Sequence, residues 1–209
     1  VLEYCPEILP GFDAEVAKRL RTYLGRKGIR FVTKAKVTAV DANHTVYYES
    51  KGKELSLECD LVVSAVGRRP VVPAGLEAAG VKLDARGFVE VDDSYRTSAD
   101  GIFAIGDVNG KCMLAHAASA QARVVTGCCD SFGAIPSVVF TNPECASVGM
   151  SVADAEGLLA AKIPYSSNAK AQAGGIADGL LKLVYREADR LIVGCQAVGA
   201  HAGDLIAEA

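Results

Sequence analysis

Apolar side chains recur at helical spacing between residues 13 and 27, where Val16, Leu20 and Leu24 fall on one stripe. Asp13 stands at the capping position and Gly28 where a helix stops. The spacing therefore predicts a helix over 13–27. Four short runs follow, at 30–33, 36–41, 45–49 and 54–59, and read as strands. The polar Ser50-Lys51-Gly52-Lys53 between the last two reads as a hairpin turn. Residues 61–66 form an apolar run of the kind expected in a strand covered on both faces, and it ends in Gly67-Arg68-Arg69-Pro70.

Residues 71–101 are rich in turn formers, with a short helix expected near 76–79 and a strand near 88–91. Ile102 to Ile105 read as a buried strand running straight into Gly106-Asp107, and a helix is expected over 114–128. The composition shifts at 133–136, which predicts a domain boundary. Beyond it the pattern gives strands at 137–141 and 145–149 and a helix over 151–161. Strands at 163–167, 180–186 and 191–198 come next, the last two joined by a turn at 187–189. A final helix starts near Ala202. There are no internal repeats or low-complexity tracts.

Composition narrows the function classes. The net charge of −3 makes no electrostatic case for nucleic acid or an anionic membrane surface. No apolar run approaches the ~20 residues that span a bilayer, and no signal peptide is visible at Val1. Seven cysteines at irregular spacings form no CxxC pair, so neither a zinc ribbon nor a thioredoxin-type site is suggested. Cys59 and Cys195 read as small core residues, and the adjacent Cys128 and Cys129 as the end of a helix. This cysteine usage favours a reducing, cytoplasmic compartment.

The chemistry concentrates at Gly106-Asp107. In open α/β sheets, ligands sit beyond the carboxyl ends of strands. A glycine there lets backbone approach a ligand, and an aspartate offers a charged acceptor to sugar hydroxyls. The helix that follows would present N–H groups and the positive end of its dipole. Its small residues, Ala115, Ala117, Ala118, Ser119 and Ala122, would let it lie close to a cofactor or another backbone. The same residues serve equally as a turn, a cap and good helix formers. Glu3, at the end of an apolar pair, could accept from a ribose 2′-hydroxyl or be an ordinary strand-end carboxylate. His44 is expected on the surface, His201 in a structural role, and Arg68 and Arg69 as solvated or packing residues.

Six segments carry a resemblance. "TSADGIFAIGDV" followed by "MLAHAASAQA" resembles the second flavin-binding segment of the pyridine nucleotide-disulfide oxidoreductases. "VLEYCPEILPGFDAEVAKRL" is similar to the stretch after that family's NAD fingerprint, and "AVGRRP" to its link out of the NAD region. "PSVVFTNPECASVGMS" and "GLLKLVYREADRLIVGCQAVGAHAGDLIAEA" resemble its interface domain. The resemblance implies an α/β chain with partial doubly wound FAD- and NAD-binding domains and a C-terminal α+β dimerisation domain. Its parts would be a partial NAD-binding domain over 1–70, the end of the FAD-binding domain over 71–133 and the interface domain over 134–209.

It also implies residue roles. Gly106, Asp107, Met113, Leu114, Ala115 and His116 would bind FAD, with Asp107 on the ribitol. Glu3, Val37 and Gly67 would bind NAD, Glu3 favouring it over NADP. Glu144 in "TNPECA" is more similar to members that oxidise dihydrolipoamide than to glutathione reductases; Asn142 stands where many members have His. The implied activity is oxidation of dihydrolipoamide, free or on a lipoyl-bearing protein, through a disulfide and FAD to NAD, by a homodimer. The alternatives are another disulfide or mercuric reductase, and a non-catalytic dimerising or binding module. The family's two GxGxxG fingerprints, its CxxxxC pair and its His-Pro…Glu pair are absent from these residues. The chain is therefore expected to be a fragment, inactive alone, with no catalytic residue to name.

Overall fold

The computed structural model describes residues 1–208. In chain order the elements are β1 (Leu2–Glu3), α1 (Ala14–Arg26), β2 (Val32–Thr33), β3 (Ala35–Val40), β4 (Thr45–Ser50) and β5 (Lys53–Glu58). Next come α2 (Ala115–Val125), β6 (Ser137–Val139), β7 (Glu144–Gly149) and β8 (Leu158–Pro164). The chain closes with α3 (Ala169–Ala173), β9 (Leu180–Arg186), β10 (Ile192–Gly199) and α4 (Ala202–Ile206). Two compact units emerge: Val1–Ser64 with Pro136–Ala209, and Ala65–Ile135.

The first unit is built on a five-stranded antiparallel sheet in the order β6-β7-β10-β9-β8. Side chains alternate across it. Cys145, Leu180 and Val198 stand in register on one face and pack with Val16 and Leu20 of α1. Ala146, Cys195 and Ala197 point the other way and pack with Ala202 and Ile206 of α4. The sheet is thus covered on both faces by helices far apart in sequence.

α1 forms as its sequence predicts. The Asp13 carboxylate accepts the N–H groups of Glu15 at 3.0 Å and Val16 at 3.3 Å, satisfying donors the helix start would leave unpaired. The other oxygen of Asp13 accepts from Lys182 Nζ of β9 at 2.7 Å, and both groups are buried. β1 and β2 make a parallel pair, and β3-β4-β5 an antiparallel meander. The β4–β5 turn places Lys51 at φ 53° and Gly52 at φ 72°, the paired positive values that a tight two-residue hairpin needs.

Several expected elements differ. Residues 61–66 form no strand; Leu61, Val63 and Val66 are 73%, 78% and 95% exposed. An apolar run becomes a buried strand only beside neighbours, and no described strand pairs with this one. The helix expected over 151–161 is a single 3-10 turn, Val152–Asp154, followed by β8. Gly157, at φ 75°, breaks the run, and β8 gains a full antiparallel ladder with β9 from Leu158↔Arg186 to Pro164↔Leu180. The strand expected at 163–167 is the end of β8 and a 3-10 turn at Tyr165–Ser167. Cys59 lies beyond β5, half-buried, with its thiol donating to the His44 carbonyl at 3.0 Å. His44 itself is exposed.

The second unit is mostly turns held by aspartates. Asp84 accepts from the N–H groups of Arg86 and Phe88, and Asp92 from those of Ser94 and Arg96. Residues 76–79 are turns rather than a helix, and the strand expected at 88–91 is reduced to one bridge, Leu83↔Val89. The strand expected at 102–105 is likewise one bridge, Phe103↔Arg96. The segment is tied to the Asp92 loop instead: Ala104 N–H donates to Tyr95 O at 3.0 Å, and Thr97 N–H to Ile102 O at 2.9 Å. α2 ends at Val125, so Cys128 and Cys129 lie past it.

Candidate functional site

Gly106 opens a 3-10 turn, Gly106–Asn109, at φ 77°. That value suits glycine, and a β-carbon here would sit 3.4 Å from Ala118 Cβ on α2. The small pair lets the turn lie against the helix. Gln121, one turn further along α2 and 1% exposed, fastens it. Its carbonyl oxygen accepts from Gly106 N–H at 2.8 Å and from Asn109 Nδ2 at 3.0 Å. Asn109 Nδ2 also donates to Ala104 O at 3.0 Å, and Asn109 Oδ1 accepts from Lys111 N–H at 2.9 Å. The backbone on both sides of Asp107 is therefore fixed by buried hydrogen bonds.

Asp107 itself is exposed. With Val108 and Met113 it lines an open groove of about 360 Å³, shared with Arg68, Arg69, Pro70 and Val71. Met113 is 41% exposed there. The groove thus holds one carboxylate and two guanidinium groups. Leu114 caps α2 from an extended conformation with no side-chain hydrogen bond, so no side chain of its own neutralises the positive end of the helix. Ala115 and His116 form the exposed first turn. Burial, with Asp107 as a lesser cause, raises the Cys112 thiol above the ordinary value.

Glu3 and Val37 lie in the first unit; Gly67, at φ 114°, lies in the second. β1 packs against β3, the strand that carries Val37, and Val37 is 46% exposed. Glu3 ends β1, and one of its oxygens accepts Cys5 N–H at 2.7 Å. A carboxylate has lone pairs to spare, so this bond leaves Glu3 able to accept another donor. His201 precedes α4 at φ 60°, its Nδ1 3.4 Å from Asp204 Oδ2 on the exposed surface.

Four residues carry roles that the sequence pattern did not assign. Arg68 and Arg69 share the groove with Asp107, and nothing local signals that. Gln121 stands four residues after the buried Ala117, on the inner stripe of α2, where a polar residue signals a buried hydrogen bond. Lys182 alternates in phase with buried Leu180 and Val184, a position that calls for a buried partner.

The family model described as "Pyridine nucleotide-disulphide oxidoreductase" matches residues 1–122, more than half of the chain. The chain belongs to this family. The family's dimerisation domain matches residues 135–209. Dihydrolipoyl dehydrogenase of Geobacillus stearothermophilus is 41% identical, covering 100% of the chain and 47% of the relative. The Bacillus subtilis enzyme of that name is 38% identical, with 100% and 47% covered. The chain thus spans about half the length of the curated relatives it matches. Among solved structures, LpdA from Mycobacterium tuberculosis superposes with a TM-score of 0.85 at 26% identity, covering 100% of the chain and 48% of that protein. The HOCl-induced flavoprotein disulfide reductase RclA from Escherichia coli shares the fold, with a TM-score of 0.84 at 24% identity over 99% of the chain and 50% of RclA. Mixed α/β architecture is what these relationships carry. Among the described residues, no helix is long and apolar enough to cross a membrane.

Proposed function

We propose that this chain is part of an FAD- and NAD-dependent dihydrolipoamide dehydrogenase, active as a homodimer. The observation that carries the reading is the 41% identity to a dihydrolipoyl dehydrogenase along the whole chain. An exposed carboxylate at the mouth of a groove, beside an uncapped helix start, supports the cofactor part of it. In this reading residues 1–70 belong to the NAD-binding domain, 71–133 to the FAD-binding domain and 134–209 to the dimer interface. The seven cysteines, all unpaired, support a reducing cytoplasmic setting.

The residues fit the cofactors. Asp107 offers its carboxylate to the ribitol hydroxyls, and Gly106 keeps the approach clear of a β-carbon. Met113, Leu114, Ala115 and His116 would border the flavin ring when FAD is bound. The start of α2 favours negative charge at the ring edge beside it. Glu3 would accept from the ribose of NAD and repel a 2′-phosphate, and Val37 and Gly67 are each assigned to NAD binding in this reading. FAD, when bound, supplies the two-electron redox chemistry. The contribution of this chain is to hold and orient it; the thiol–disulfide chemistry falls to residues outside these 209.

The test is flavin retention and substrate choice in the intact parent enzyme. Asp107→Ala removes a charged hydrogen bond, expected to weaken FAD binding by about 10–100-fold. The unchanged enzyme is expected to reduce NAD with dihydrolipoamide and to prefer NAD to NADP. Turnover with another disulfide or with mercuric ion instead would move the reading to a different reductase. Absence of bound flavin would leave a dimerising module.

A further inference from the structure

α2 stops in a paired hydrogen-bond motif: Cys128 N–H donates to Arg123 O at 2.8 Å, and Gly127 N–H to Val124 O at 3.0 Å. Gly127, at φ 72°, supplies the left-handed residue this ending requires. The motif presents Cys128 and Cys129, two adjacent thiols, on a fixed turn. Cys128 is exposed, its sulfur 3.3 Å from Thr126 Oγ1, and Cys129 is partly exposed. The chain beyond them carries no helix or strand until β6, so both side chains are free of ladder constraints.

Adjacent thiols are poor partners for each other. The peptide between them is trans, which sets their Cα atoms about 3.8 Å apart. An ordinary disulfide needs roughly 4.4–6.8 Å. A third atom that bonds to both sulfurs relieves this mismatch. The other five cysteines stand singly in the sequence. Burial raises the thiols of Cys112, Cys145 and Cys195, and Cys145 reaches about 12.

We propose that Cys128 and Cys129 form a vicinal dithiol site for trivalent arsenicals carrying one organic substituent, which take two thiolate ligands. Two S–H bonds break and two As–S bonds form. The thiol protons leave with the arsenic-bound oxygen as water, and arsenic stays trivalent. Holding the second thiol beside the first makes its capture intramolecular, worth on the order of 100-fold or more over one thiol.

The experiment treats the reduced, native chain with one equivalent of phenylarsine oxide, followed by a wash with excess glutathione. Intact mass and peptide mapping are expected to find one phenylarsenic unit on the peptide holding both cysteines, kept through the wash and released by dithiothreitol. Cys128→Ser and Cys129→Ser are each expected to lower the retained fraction about 100-fold, while Cys59→Ser leaves it unchanged. Retention in both single-serine variants, an adduct mapped to other cysteines, or no retained adduct on the unchanged chain would each overturn the proposal.

Discussion

The side-chain carbonyl of Gln121 accepts the backbone N–H of Gly106 at 2.8 Å, deep inside the second unit. The same oxygen takes Asn109 Nδ2 at 3.0 Å. One carboxamide therefore sets the backbone from which Asp107 projects. Gln121→Met keeps the volume and removes the acceptor, leaving a buried N–H without its partner. That is expected to destabilise the unit by ~2 kcal/mol or more, read as a lower urea midpoint at unchanged slope. A variant as stable as the unchanged chain would remove Gln121 from this role.

Lys182 and Asp13 make a second buried relationship, at 2.7 Å across 169 residues of sequence. Glu15 Oε2 lies 3.7 Å from the same ammonium. Breaking one side of a buried pair is costly because a charge is left behind. Lys182→Met is expected to cost about 3 kcal/mol. Asp13→Asn keeps an oxygen for the cap but removes the charge. The double variant should be more stable than Lys182→Met alone, since no uncompensated carboxylate remains. A double-mutant cycle by chemical denaturation measures the coupling; strict additivity would count against a coupled pair.

α1 was legible because its information is local: Asp13 caps, and Val16 and Leu20 are buried as the spacing demands. The antiparallel pair β9–β10 was legible from its alternation and short turn. Residues 61–66 were not, because apolarity specifies burial only where neighbours exist, and Val66 is 95% exposed. The stretch 151–161 misled because leucine and alanine suit a helix, whereas pairing with β9 decides for a strand at Leu158–Pro164. That Asp107 follows a glycine turn shortly ahead of a helix was legible from its flanks. Arg68 and Arg69 were not, because only tertiary structure brings them to its groove.

Acid stability carries a signed prediction at Glu15. The hydrogen bond from Lys162 is the main reason its carboxyl lies below the usual 4.5, with Lys182 and Arg19 adding to it against some desolvation. A lowered folded value means the stabilisation is complete above 4.5 and fades as pH falls through the folded value. Lys162→Gln should therefore be less stable than the unchanged chain at neutral pH. The gap should close as the solution is acidified below 4.5. Denaturation midpoints at a series of pH values check this; a gap that stays constant through the acid range would assign the effect to packing.

The two cysteines of the sheet interior give a probe for all of this. Cys145 and Cys195 are 0% exposed, one facing α1 and the other α4. Burial drives the Cys145 thiol up to about 12, with Asp13 a lesser cause, and raises Cys195 as well. Thiol reagents need both access and thiolate, so the folded sheet protects these positions twice over. Labelling then requires the sheet to open and follows the opening equilibrium where closing is fast. Lys182→Met, weakened by about 3 kcal/mol, should label Cys145 on the order of 100-fold faster, since each 1.4 kcal/mol is tenfold. Cys128, already exposed, should label at the same rate in both proteins. Mass spectrometry resolved by peptide reads both rates in one experiment. Equal acceleration at Cys128 and Cys145 would mean that the substitution loosens the whole chain rather than the clamp between α1 and β9.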